Sequence, residues 1–126
     1  MNIDRLDHLV LTVQNLEATC EFYTQILGME CITFGNNRKA LRFGNQKINL
    51  HQAGKEFEPK ALFPAPGSAD LCFITLTPLS EVIQHLNSHS IVIEAGIVQR
   101  TGAIGSIASI YIRDPDGNLL EIANQL

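Results

Sequence analysis

Four side chains of the types that ligate divalent metals stand far apart along the chain: His8, His51, Asp70 and Glu121. Imidazole nitrogens and carboxylate oxygens together suit Fe(II), Mn(II), Ni(II), Co(II) or Zn(II). Two histidines and one carboxylate leave coordination positions open, so that a substrate can bind such a metal directly. The residue types therefore raise the hypothesis of a divalent metal site, provided that the fold brings them together.

Each of these residues also has a purely structural explanation. A single histidine is often a surface residue or a hydrogen-bonded core residue, which applies to His8 and His51 alike. Glu121 could face solvent on an edge strand, and Asp70 could cap the preceding loop. The joint interpretation is favoured because every one of the four alternates with apolar neighbours in a predicted strand, on the side that does not pack against a helix.

The first half of the chain predicts a strand, a helix and three more strands. Residues 6–13 alternate as a strand does, and Asn15 is a suitable N-cap for the helix that follows. Gly28 is a suitable residue to end that helix. Short strands separated by Asn- and Gly-containing turns are then predicted at 29–34, 39–43 and 47–52.

The same order of elements returns after a proline-rich stretch at residues 53–68. A strand is predicted at 70–75 and a helix at 78–88, and further strands follow at 91–94, 106–112 and 118–123. The sequence therefore predicts an α+β protein with two tandem βαβββ modules, about 3–53 and 69–125, within a single domain at 1–126.

Overlaying the two halves pairs the candidate ligands. His8 falls on Asp70, and Asn49 falls on Glu121 because Ile-Asn-Leu aligns with Leu-Glu-Ile. His51 lies two residues beyond Asn49 and therefore on the same face of its strand. If the two sheets curl toward each other, these side chains converge in one cleft between curved mixed sheets.

Bulk composition excludes several functions. The 126 residues carry a net charge of −4, and a pI near 5.4 argues against nucleic acid or an anionic membrane as a partner. No apolar run approaches the roughly 20 residues that span a bilayer, and the N-terminus has no signal-peptide core. Three cysteines without C-x-x-C spacing predict a reduced, cytoplasmic protein.

Several motifs resemble the vicinal-oxygen-chelate superfamily, which includes glyoxalase I, fosfomycin-resistance proteins, extradiol dioxygenases and bleomycin-binding proteins. They are DHLVL at 7–11, FY at 22–23 with ILGM at 26–29, and DPDG at 114–117 with LEI at 120–122. A narrower resemblance is to glyoxalase domain-containing protein 5 and its bacterial relatives. It is carried by RKALRFG at 38–44, KINLH at 47–51, KEFEPK at 55–60 and RTGA at 100–103.

The resemblance implies paired βαβββ modules around a U-shaped cleft with a divalent metal at its floor. It implies that His8 is the first ligand, and that Glu121 is the last ligand and a catalytic proton carrier. Glyoxalase I has a Glu where this chain has Asn49, and a His where it has Asp70. We therefore expect His51 to replace the missing imidazole, with Asp70 as a further ligand or a partner of one.

The expected function is that of a metal-dependent enzyme on a small, vicinally oxygenated molecule, through stabilisation of an oxyanion or enediolate. Isomerase, lyase, transferase and dioxygenase reactions all remain open, and so does the identity of the metal. The residues expected to contact the substrate are Asn49, Lys60, Arg100 and Arg42. The resemblance also implies a homodimer.

Two alternatives are a small-molecule or antibiotic-binding protein without catalysis that uses the same cleft, and a metal-bound regulatory or partner-binding protein. Relatives that bind bleomycin hold a cationic ligand with apolar and acidic groups and no metal. The absence of Trp and an aromatic content of 6% make a stacking platform for a large planar drug thin. Metal content separates the first alternative from the enzyme.

Overall fold

The computed structural model describes residues 1–126, which form two compact units, Met1–Gly67 and Ser68–Leu126. We refer to them as the first and the second module. Each contains one helix and one four-stranded mixed sheet. The predicted α+β architecture with two tandem βαβββ modules is confirmed. Neither helix combines the length and the apolar character that crossing a membrane would require.

The first module contains β1 (His8–Val13), α1 (Leu16–Gln25), β2 (Glu30–Phe34), β3 (Arg38–Phe43) and β4 (Gln46–Gln52). Its sheet has the order β1-β4-β3-β2, with β1 parallel to β4 and the other neighbours antiparallel. This parallel pairing places the first and last strands of the module side by side at the register where the candidate ligands lie.

Helix α1 begins and ends as the sequence predicts. The Asn15 side chain accepts a hydrogen bond from the Ala18 amide at 2.9 Å, which satisfies a backbone donor that the first turn leaves free. Gly28 has φ +71°, a conformation that residues with a Cβ rarely adopt. The helix is therefore bounded by two residues whose local chemistry defines its length.

Helix α1 lies on one face of the first sheet, and its position shows which strand side chains face the helix and which face away from it. Cys20 of α1 contacts Cys31 of β2, with the two sulfur atoms 2.7 Å apart. Cys31 shares its register row with Leu41 and Ile48, both fully buried. Side chains in the alternate rows, including those of His8, Asn49 and His51, therefore point to the helix-free face of the first sheet.

The second module contains β5 (Asp70–Ile74), α2 (Leu79–Ser88), β6 (Ala95–Gly102), β7 (Gly105–Arg113) and β8 (Leu119–Gln125). Its sheet order, β5-β8-β7-β6, repeats that of the first module, with β5 parallel to β8. Its core is aliphatic and includes Ile110, Ile112, Leu120 and Ile122.

One side chain fixes the orientation of the second sheet. The Asn124 Oδ1 atom accepts a hydrogen bond from the Leu79 amide at the start of α2, at 3.0 Å. Asn124 has the same parity as the buried Leu120 and Ile122, so these residues face the helix. Glu121 and its register partner Cys72 therefore belong to the helix-free face of the second sheet.

The sixth strand differs from the prediction. It spans Ala95–Gly102, whereas the sequence predicts a strand at 91–94. The Ile91 amide instead donates to the Leu86 carbonyl at 2.9 Å, after Ser90 has taken φ +56°, so the apolar run closes the C-terminus of α2. The true strand is mostly exposed and contains two glycines, so it lacks the alternation that marks a strand in a sequence.

Candidate functional site

His8 is held at the start of β1 by its sequence neighbour. The Nδ1 atom of His8 lies 2.8 Å from Oδ1 of Asp7, and this hydrogen bond lowers the pKa of Asp7. A carboxylate on one ring nitrogen fixes the tautomer and orientation of an imidazole, and it leaves Nε2 as the basic nitrogen. The His8 side chain is 43% exposed, which leaves it accessible from solution.

Asn49 lies beside Val10 on the helix-free face of the first sheet. Asn49 is buried, with 6% of its surface exposed, and its Oδ1 atom has no hydrogen-bond partner. A buried amide oxygen without a donor is costly. The carboxamide of Asn49 is therefore available to form a hydrogen bond with a ligand.

His51, two residues further along β4, faces a cation. Its Nε2 atom lies 3.3 Å from Nη2 of Arg38, and its ring meets Phe57 edge-on with the centroids 5.5 Å apart. Burial and, after it, the Arg38 charge lower the pKa of His51. The ring is therefore held neutral, and the nitrogen that would bind a metal accepts from a guanidinium group.

Glu121 stands in the middle of β8 on the helix-free face of the second sheet. Its Oε2 atom accepts a hydrogen bond from Ser109 Oγ at 2.5 Å, and Ser109 is fully buried. Across the parallel pair lies Cys72, whose thiol pKa is raised by burial and then by the Glu121 charge. The carboxylate is thus fixed from one side by a hydroxyl and has a thiol as its other neighbour.

Asp70 begins β5 and is exposed. It stands two residues before Cys72 and therefore has the same strand parity as Cys72. Its register partner is Leu119, so it lies two residue positions along the sheet from the row that contains Glu121 and Cys72.

The basic residues expected to contact substrate differ in their surroundings. Arg42 donates to Glu30 at 2.9 Å. Lys60 lies 3.2 Å from Glu56, whose carboxylate raises the pKa of Lys60. Arg100 donates to the Tyr111 hydroxyl at 3.1 Å and has no carboxylate partner within salt-bridge distance. Arg42 and Lys60 are therefore already neutralised by neighbouring acids.

The chain does not gather three or more His, Cys, Asp or Glu side chains into a group that could hold a metal ion. The individual donors nevertheless suit a divalent cation. His8 offers an imidazole nitrogen oriented by Asp7, and Glu121 offers a carboxylate anchored by Ser109. Such supporting contacts are typical of protein metal ligands.

Sequence reasoning missed two supporting residues and one cation. The role of Asp7 could have been predicted, because the sequence places its carboxylate directly before His8. The roles of Ser109 and Arg38 could not, because strand register alone brings Ser109 to Glu121 and Arg38 to His51. A sequence does not specify that register until the turns are fixed.

Two tandem βαβββ modules with imidazole and carboxylate groups on helix-free sheet faces define a paired-module class of α+β protein. Residues 5–122 match the family described as the Glyoxalase/Bleomycin resistance protein/Dioxygenase superfamily. The chain belongs to this superfamily, as its motifs predict.

The chain is similar along its whole length to proteins with curated names. It is 61% identical over 123 residues to virulence protein STM3117 of Salmonella typhimurium, covering 98% of this chain and 85% of that protein. It is 54% identical over 124 residues to glyoxalase domain-containing protein RDO1 of Mycosarcoma maydis, covering 98% and 70% of the two chains.

Solved structures have the same fold. The crystal structure of the Salmonella virulence protein superposes with a TM-score of 0.98 at 60% identity and covers 100% of both chains. Lactoylglutathione lyase from Agrobacterium tumefaciens has a TM-score of 0.75 at 21% identity, with coverage of 98% and 96%. The antibiotic-binding protein TnmS3 from Streptomyces sp. CB03234 has a TM-score of 0.76 at 16% identity, with coverage of 100% and 99%. The last two similarities concern the fold alone.

Proposed function

We propose that this protein is a divalent-metal-dependent enzyme that acts on a small, vicinally oxygenated molecule. The observation that carries the proposal is the Asp7–His8 hydrogen bond, because a carboxylate on Nδ1 is the usual support of a metal-binding imidazole. The carboxylate of Glu121, anchored by Ser109, supplies a second donor of suitable chemistry. Membership of the superfamily agrees with this function without specifying a reaction.

His8 and Glu121 are the principal ligands in this proposal, and His51 and Asp70 are the further candidates. His51 ligates only if its Nε2 atom exchanges Arg38 for the metal. When bound, a divalent cation would supply Lewis-acid stabilisation of negative charge that develops on substrate oxygens.

The chain's own residues would perform the proton transfer. The Oε2 atom of Glu121 accepts from Ser109, which leaves the remaining lone pairs of the carboxylate for a substrate proton. Asn49, with its unpaired buried oxygen, would orient the substrate through one hydrogen bond. These roles fit an isomerase, a lyase or a dioxygenase equally well.

Metal content tests the proposal. Purified protein is stripped with chelator and reloaded separately with Ni(II), Zn(II), Fe(II), Mn(II) and Co(II), and bound metal is measured by elemental analysis. We expect stoichiometric binding of at least one of these metals, and its loss when His8→Ala is combined with Glu121→Ala. The control is His85→Ala, which removes an exposed imidazole on α2. Unchanged metal content in the double variant would refute the assignment.

Asp70→Ala and His51→Ala refine the ligand set. A loss of metal affinity as large as that of His8→Ala assigns a direct ligand. A smaller loss assigns a residue that only supports one.

A small-molecule-binding protein without catalysis is the second candidate. The observation that favours it is that the chain gathers no group of three ligand-type side chains. Failure of the wild-type protein to bind any of the five metals after reloading would support this alternative.

We also propose that residues 1–126 act as one functional domain and that the protein is a homodimer in the cytoplasm. The free state of Cys20, Cys31 and Cys72 agrees with a reducing compartment. Sedimentation equilibrium tests the oligomeric state, and a monomer at micromolar concentration would refute the dimer.

A further inference from the structure

The guanidinium group of Arg38 on β3 packs against two aromatic rings. Its guanidinium carbon lies 4.5 Å from the ring centroid of Phe57 and 5.1 Å from that of Phe34. Such stacking holds a guanidinium group in place and removes much of its hydration. Its position is therefore fixed before any ligand arrives.

No carboxylate lies within salt-bridge distance of this arginine. Arg42 pairs with Glu30 and Arg113 with Glu94, whereas Arg38, like Arg100 in the second module, forms no salt bridge. Its one hydrogen-bond neighbour is the neutral ring of His51, and its buried Nε atom has no partner. A guanidinium group has five N–H donors, so most of the donors of Arg38 are unused.

A second cation shares the same ring. The Nζ atom of Lys47 lies 3.9 Å from the Phe34 centroid, and Lys47 also forms no salt bridge. Strand register places Arg38, Lys47 and His51 on the helix-free face of the first sheet. Two like charges against one ring repel each other, and an anion bound there would relieve that repulsion.

The buried amide of Asn49 lies on β4 between Lys47 and His51, with the same strand parity. A carboxamide presents an oxygen or an NH₂ group according to how it is turned. It can therefore donate to an oxygen atom of a ligand that Arg38 and Lys47 attract.

We propose that Arg38 and Lys47, seated on Phe34, form the subsite for a negatively charged oxygen group, a carboxylate or a phosphate, of the substrate. The inference deepens the proposed function, since it rests on a substrate bound at the helix-free face of the first sheet. It assigns the substrate to the class of small oxygenated anions. It also assigns charge recognition to Arg38 and Lys47, in preference to Arg42 and Lys60, which already have acidic partners.

The test uses metal-free full-length protein, so that it does not depend on the metal proposal. Glycerate, inorganic phosphate and glycerol are titrated separately while the ¹H–¹⁵N signals of the arginine Nε–H groups are recorded. We expect glycerate or phosphate to shift the Arg38 signal, and neutral glycerol to leave it unchanged. A response to glycerate alone identifies a carboxylate, and a response to phosphate alone identifies a phosphate ester.

Variants locate the charge recognition. We expect Arg38→Met and Lys47→Met each to weaken anion binding about tenfold or more, the usual effect of losing a charged hydrogen bond. Arg113→Met, the control in the second module, should change binding less than twofold, because Arg113 already pairs with Glu94. Arg38→Lys keeps the charge without the stacked fork and should retain part of the affinity, and it replaces Arg38→Met if the latter does not fold.

Anion binding within twofold of wild type in both Arg38→Met and Lys47→Met would overturn the inference, as would equal shifts with glycerol. Anion binding together with failure of every metal to load would leave this subsite standing and refute the metal-dependent enzyme. Metal loading without anion binding would refute this subsite and leave the metal-dependent enzyme standing.

Discussion

The two modules have the same fold but differ in the charged side chains that their helix-free faces present. The first presents Arg38 and Lys47, neither of which forms a salt bridge, together with the neutral ring of His51. The second presents the acids Asp70 and Glu121, and the thiol of Cys72, which follows Asp70 by two residues on β5 and pairs with Glu121 across the sheet. Strand order and the side of the helix are the same in both. The charged side chains on the helix-free face differ.

This difference shows that the repeated fold determines which strand positions face the helix, but not which residue types occupy the opposite face. Inward rows must be apolar in both modules because a helix covers them, as Leu41 and Ile110 show. The opposite rows carry no such demand, so they can acquire a basic group in one module and an acidic one in the other. Substituting a residue that has no counterpart in the other module, and comparing the effect with a matched substitution there, should therefore show which residues stabilise the fold.

The largest effect is expected from Asn118→Ala in the turn between β7 and β8. Asn118 is buried, receives the Ala69 amide at 2.8 Å and donates to Asp114 at 2.8 Å. Its loss leaves buried groups without partners, which should lower the free energy of unfolding by about 3 kcal/mol. Urea denaturation measures this change.

The matched control in the first module is Asn45→Ala, in the exposed turn between β3 and β4. Its effect should stay below about 0.5 kcal/mol. Equal losses for the two variants would mean that the turns of both modules are equally important for stability.

The chain's local signals predicted most of the fold. Asn15 and Gly28 marked the ends of α1, and the alternation of Leu and polar residues marked β1, β4 and β8. The strand Ala95–Gly102 escaped because its stability comes from pairing with β7 rather than from its own pattern.

For the candidate site, strand alternation predicted only which face of a sheet each side chain occupies. Parity placed His8, Asn49 and His51 on one face and Glu121 on another. It could not show that Arg38 lies against His51, or that Ser109 supports Glu121, because both contacts cross between strands. Contacts across strands depend on register, which turn lengths set and residue types do not.

The next effect concerns metal affinity and requires the proposed metal site. Asp7→Asn removes the carboxylate that orients His8, while the size of the side chain is kept. We expect metal affinity to fall about 10- to 100-fold, the usual effect of losing such a partner. Isothermal titration with Zn(II) measures it, and Asp4→Asn is the control because Asp4 pairs with Arg5 instead. An affinity within twofold of wild type would mean that Asp7 is a surface acid only.

A smaller difference is expected between the two helix caps. Helix α1 is capped locally by Asn15, whereas α2 receives its cap from Asn124 on β8, which also donates to the carbonyls of Thr75 and Thr77 at 2.9 Å. Asn15→Ala should cost about 1 kcal/mol and Asn124→Ala about 2 kcal/mol, because the latter breaks three bonds. Thermal unfolding of the two variants under identical conditions gives the order. The reverse order would show that the cap at a distance contributes less than the local one.

The smallest effect concerns the thiols, which distinguish the modules by their surroundings. Burial and then the neighbouring Cys31 raise the pKa of Cys20 to about 12, so its thiol stays protonated at pH 8 and should be alkylated slowly there. Cys72 is accessible to solvent but partly desolvated by its neighbours, and this desolvation and then Glu121 raise its pKa. Glu121→Gln should therefore lower the pKa of Cys72 and increase its rate of alkylation by iodoacetamide at pH 8 a few-fold. Glu94→Gln is the control, since Glu94 pairs with Arg113. Mass spectrometry of the labelled peptides follows each cysteine separately, and an unchanged Cys72 rate in Glu121→Gln would remove the electrostatic link between the two strands.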